Sequence, residues 1–133
     1  MPLLVDEPAT KNVMKLYKED SQIVAWWGTT VECASALARL ERDGNLAGSA
    51  VVQSFERLKV LTSSWQEVQP VDALRELAVR LIRVQNLRSG DSQQLAAALL
   101  ASEHRPGSLE LVCLDARLAQ AAQREGFRVL GLD

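Results

Sequence analysis

Leu109-Glu110-Leu111-Val112-Cys113-Leu114-Asp115 is followed by a ten-residue run at 116–125, by Gly126, and by Phe127-Arg128-Val129-Leu130. Residues 109–114 form a short, mainly apolar run, the pattern of a buried strand. Residues 116–125 are rich in Ala, Leu, Gln and Arg, all good helix formers, and Gly126 is a helix stop. The run at 127–130 reads as a second strand. Two strands joined through a helix of this length pair in parallel, so this segment predicts an α/β chain.

Upstream, Ser89-Gly90 reads as a turn and Asp91 as the start of a helix reaching about residue 103. Asp91 and Gln94 have the spacing of a capping box, and an acid there suits the positive end of the helix dipole. A helix at 72–85 turns Leu74, Leu77, Ala78, Leu81 and Ile82 inward. Residues 65–68 form a short edge strand closed by Pro70. Helices at 29–43 and 48–63 read as a hairpin, the first burying Cys33, Ala36, Leu37 and Leu40, the second Val51, Val52, Phe55, Leu58 and Leu61. Thr29 and Glu32 match a second capping box. Residues 22–26 are a buried strand broken by Gly28, and Asp6-Glu7-Pro8 opens a helix to about residue 20. Strands alternating with helices predict a mostly parallel central sheet with helices on both faces, a three-layer sandwich formed as a single domain, 1–133.

The length of 133 residues suits one domain with a proper core. Aromatic content is only 5%, so that core is built of Leu, Val and Ala. A net charge of −2 argues against a generally basic nucleic-acid binder, while leaving room for a local basic groove. The sequence contains no apolar run of membrane-spanning length, and its first residues are too short an apolar stretch for a secretory signal peptide, so none is expected. Cys33 and Cys113 are far apart and outside any C-x-x-C pair, so a reduced, cytoplasmic setting is expected.

Absent motifs narrow the chemistry. His104 is the only histidine, beside Arg105-Pro106-Gly107 in a loop, a poor basis for a Ser-His-Asp or His-rich zinc site. Neither GxGxxG nor GxxxxGK[ST] occurs. What remains is carboxylate chemistry. Asp115 follows a strand directly, while Glu32 and Asp91 stand at helix starts. In open parallel sheets such positions lie beyond the carboxyl ends of the strands, where ligands bind. Gathered carboxylates repel and raise one another's pKa, unless a hard cation such as Mg²⁺ or Mn²⁺ makes the ionised forms favourable. Such an ion can hold a phosphodiester and activate water. Each acid also has a plain structural reading as a helix cap.

Three segments carry a resemblance: Thr30-Val31-Glu32-Cys33-Ala34-Ser35-Ala36-Leu37, Leu87-Arg88-Ser89-Gly90-Asp91 through Leu95-Ala96, and Leu111-Val112-Cys113-Leu114-Asp115 with Leu118-Ala119. In order and spacing they resemble PIN-domain nucleases, in particular the VapC-type toxins of bacterial toxin–antitoxin pairs. The resemblance implies a five-stranded parallel sheet and cleavage of RNA with Mg²⁺ or Mn²⁺ held by about four acids. It makes Glu32, Asp91 and Asp115 three of those catalytic and metal-binding acids, and it brings Arg88 near phosphate. It also implies an antitoxin partner, received on the helix hairpin, and a homodimer.

One part of the pattern is different. Family members open with a strand bearing the first acid, whereas Asp6-Glu7-Pro8 here resembles sequence beyond that acid. Two registers follow. Either the opening strand is missing, or Pro2-Leu3-Leu4-Val5 replaces it with Asp6 as the fourth acid. Two functions follow as well: a metal-dependent toxin ribonuclease, or a catalytically incomplete PIN fold that binds an antitoxin or other partner.

Overall fold

The computed structural model describes residues 14–16, 18, 22–113 and 115–131. The expected strand at 2–5, the candidate acid Asp6 and most of the helix at 6–20 lie outside the described residues; Met14, Lys15, Leu16 and Lys18 are helical. The chain is mixed α/β and mostly helical. In order it forms β1 (Val24–Trp26), α1 (Thr29–Arg42), α2 (Ser49–Ser64), β2 (Gln66–Val68), α3 (Asp72–Gln85) and α4 (Ser89–Ala101). A 3₁₀ turn (Pro106–Ser108), β3 (Glu110–Val112), α5 (Ala116–Arg124) and β4 (Arg128–Leu130) complete it. It divides into two compact units, 1–66 and 67–133. No helix among the described residues is long and apolar enough to cross a membrane.

In the first unit, α1 and α2 pack against each other as the expected hairpin. Leu37 and Leu58 are its buried centre, with Cys33, Ala34, Leu46, Leu61 and Trp65 against them. The buried face of α2 differs from the expected one. Ser54 and Leu58 are buried, whereas Val52 is 63% exposed and Phe55 lies at the surface. The interior stripe therefore runs through residues 51, 54, 58 and 61, and a small serine fills the place that hydrophobicity alone assigns to Phe55. β1 ends in the buried Trp26, whose ring meets exposed Trp27 edge-on at 6.3 Å. Gly28 follows because an added Cβ would stand 2.6 Å from Trp26 Nε1. The Gln66 N–H donates to the Ile23 carbonyl at 2.9 Å, where β2 begins beside the β1 end.

In the second unit α3 packs on α4, α4 on α5, and α5 on β4. β3 and β4 pair in parallel with Glu110 opposite Arg128, Leu111 opposite Val129 and Val112 opposite Leu130. The strand–helix–strand reading of 109–130 thus forms as expected. Among the described residues the strands make two separate pairs, β1 with β2 and β3 with β4. α3 keeps its expected bounds and buries Leu74, Ala78 and Leu81, but Ile82 faces outward and Gln85 is buried instead. Gln85 Nε2 donates to Glu125 at 2.7 Å, and Arg80 pairs with the same carboxylate at 3.0 Å.

Three helices end in the same way. The amide two residues past the C-cap donates back to the carbonyl six-to-one, and the amide before it donates five-to-two. Asn45 and Gly44 do this for α1, His104 and Glu103 for α4, and Phe127 and Gly126 for α5. The motif needs a left-handed residue just past the cap. Gly44 and Gly126 supply it freely, but α4 has Glu103 there at φ 54°.

Leu37→Ala is expected to lower the urea unfolding free energy by about 2–5 kcal/mol, while Val52→Ser, on the exposed face, changes it by under about 0.5 kcal/mol. Glu103→Gly, which relieves the left-handed strain, should raise stability by about 1 kcal/mol in thermal or urea unfolding.

Candidate functional site

Asp115 stands where β3 gives way to α5. Its backbone is extended (φ −94°, ψ 118°), and its Oδ1 accepts from the amides of Arg117 at 2.9 Å and Leu118 at 3.1 Å. This is the N-cap that the sequence implied. The Cys113 thiol donates to the Asp115 carbonyl at 3.3 Å, tying the end of β3 to the same turn.

Asp91 is not the cap of α4. The cap is Arg88, with extended backbone, and its carbonyl accepts the Ser92 amide at 2.9 Å. Ser89 and Gly90 are the first helical residues, and Ser92 Oγ bonds back to the Ser89 carbonyl at 2.8 Å. The helix therefore starts two residues before the expected point, since Ser and Gly fit a first turn as well as a loop. Asp91 still occupies the first turn, where the dipole favours a negative charge.

The two aspartates feel each other. Burial pushes the Asp91 carboxyl above the ordinary carboxylate range, the Asp115 charge pushes it further, and the Arg88 and Arg117 guanidiniums pull it back. Burial also raises the Cys113 thiol; the amide hydrogen bond at Asp115 opposes this, and the charges of Asp115 and Asp91 add to it. Two helix N-termini, two carboxylates and two arginines thus share one electrostatic neighbourhood. Arg117 and Cys113 belong to it although sequence reasoning assigned neither to the site. The signal for Arg117 was its place in the first turn after Asp115.

Glu32 lies at the start of α1 in the first unit. Gly28 rather than Thr29 is the cap of that helix, and the Glu32 amide already donates to the Gly28 carbonyl at 3.1 Å. The cap therefore falls one residue before the Thr29 expected from the Thr29–Glu32 pattern, on a glycine with no side chain to form a capping box. Burial raises the nearby Cys33 thiol, and the Glu32 charge adds to this. Among the described residues no three His, Cys, Asp or Glu side chains form a group able to hold a metal ion. His104 lies in the exposed turn past α4 with φ 60°. No protein-family model, curated protein or solved structure matches this chain.

The raised Asp91 carboxyl fixes a pH dependence. The folded chain holds this proton more tightly than the unfolded chain, so stability falls as pH rises from the ordinary carboxylate range through the raised value. Asp91→Asn removes that penalty. The variant should show a higher urea midpoint than the parent at pH about 7 and no advantage at pH about 3, where Asp91 is protonated in both states.

Proposed function

We propose that this chain is a PIN-like, VapC-type ribonuclease: a three-layer α/β protein that cleaves RNA with Mg²⁺ or Mn²⁺ and is held in check by an antitoxin. The observation that carries this reading is the electrostatic pairing of Asp91 with Asp115 at the N-termini of α4 and α5. Placing like charges together is unfavourable in itself, and it becomes favourable beside a divalent cation. The pair fits a hard ion as part of a ligand set. Asp115 uses Oδ1 for its cap, and a carboxylate has a second oxygen able to coordinate. When bound, the ion would polarise a phosphodiester and lower the pKa of an attacking water.

The chain's own groups do the rest. Arg88 and Arg117 offset the two carboxylates, so the neighbourhood does not repel a phosphate as a bare acidic pair would. The two helix N-termini add partial positive charge beside the two carboxylates. A specific observation favours a second reading, a PIN-like fold with an incomplete site that works by binding a partner. Val52, Phe55 and Val60 are exposed apolar side chains on α2, in the hairpin expected to receive an antitoxin.

The test is cleavage of a single-stranded RNA oligonucleotide by the purified chain in Mn²⁺. Fragments should appear, vanish with EDTA, and form about 100-fold or more slowly in Asp91→Asn, with an unchanged circular dichroism spectrum. Intact RNA with the parent chain and no Mn²⁺ binding by calorimetry would favour the partner-binding reading.

A further inference from the structure

Glu125 is the C-cap of the helix whose N-cap is Asp115. Its two carboxylate oxygens are both engaged by α3, Oε1 with Arg80 at 3.0 Å and Oε2 with Gln85 at 2.7 Å. The Glu125 side chain is 14% exposed and Gln85 is 9% exposed, so the Gln85 arm is largely shielded from water, while the Arg80 arm reaches the surface.

Its position connects it to the acids. A hold on Glu125 is a hold on the far end of α5, the rod that begins at Asp115. Gln85 is the last residue of α3, and only Asn86, Leu87 and Arg88 separate it from α4, whose first turn carries Asp91. That connector has little slack, because Asn86 is left-handed at φ 53° and Leu87 is buried. The bracket is also a poor way to gain stability. With its amide nitrogen given to Glu125, Gln85 leaves Oε1 buried without a partner among the described residues. An apolar side chain would leave no such atom. A residue of this kind suits fixing a position better than adding stability.

We propose that Glu125 is a positioning residue: by gripping Arg80 and Gln85 it fixes the connector 86–88 and with it the placement of Asp91 relative to Asp115. The functional part of this inference rests on the reading that the two acids act together. The structural part does not.

Two measurements on the full chain test it. In Glu125→Ala the amides of residues 87–92 should exchange with deuterium about tenfold faster than in the parent, while Ala78 in mid-α3 is unchanged. Glu125→Gln keeps one acceptor oxygen, enough for one of the two donors, and should fall between the parent and Glu125→Ala. Parent-like exchange at 87–92 in Glu125→Ala overturns the proposal. In calorimetry with Mn²⁺ alone, Glu125→Ala should bind about tenfold more weakly and Glu125→Gln should recover part of the affinity. Leu37→Ala, destabilised in the first unit, should bind as the parent does. Equal Mn²⁺ affinity in Glu125→Ala and the parent also overturns the proposal. A parent chain that binds no Mn²⁺ instead overturns the nuclease reading, and the exchange measurement then decides the bracket alone.

Discussion

The hydrogen bonds from the Arg117 and Leu118 amides to Asp115 Oδ1 are the interaction on which the second unit turns. A helix start leaves its first amides without intrahelical partners, and a carboxylate there satisfies two of them while meeting the positive end of the dipole. Asp115 makes that cap three residues beyond Val112, the last residue of β3, and the helix begins at the next residue. α5 then runs to Gly126, whose left-handed backbone (φ 104°) turns the chain into β4 alongside β3. The parallel pair, its crossover helix and the placement of the Asp115 charge all follow from that one cap. The same cap sets a tension. It orients Asp115, whose charge acts on the half-buried Asp91.

The parts of the fold that were legible in the sequence are those fixed by neighbours along the chain. β3, α5 and β4 were legible because an apolar run, an acid, a run of helix formers and a glycine each mark a boundary locally. The bounds of α3 were legible for the same reason. The inward face of α2 was not. Two overlapping stripes fit a 3.6-residue period, and the more hydrophobic one, through Val52 and Phe55, is the one that faces out. Nor was the start of α4, since Ser89 and Gly90 serve turns and first helical turns equally well. For the site, Asp115 could be placed from sequence because capping is local. Its influence on Asp91, and the part played by Arg117, depend on α4 and α5 meeting in space. The Arg80–Glu125 pair, separated by 45 residues, has no sequence signal at all.

The aromatic residues carry a practical consequence. All three tryptophans, Trp26, Trp27 and Trp65, belong to the first unit, and the second contains none. One of them is buried, one is half exposed, and these two touch edge-on. Intrinsic fluorescence therefore watches one half of the molecule and is blind to the half that carries Asp91 and Asp115. Far-ultraviolet dichroism, fed by helices in both, watches the two together. The offset between the two melting curves is thus a built-in gauge of whether the halves unfold as one cooperative body or as two.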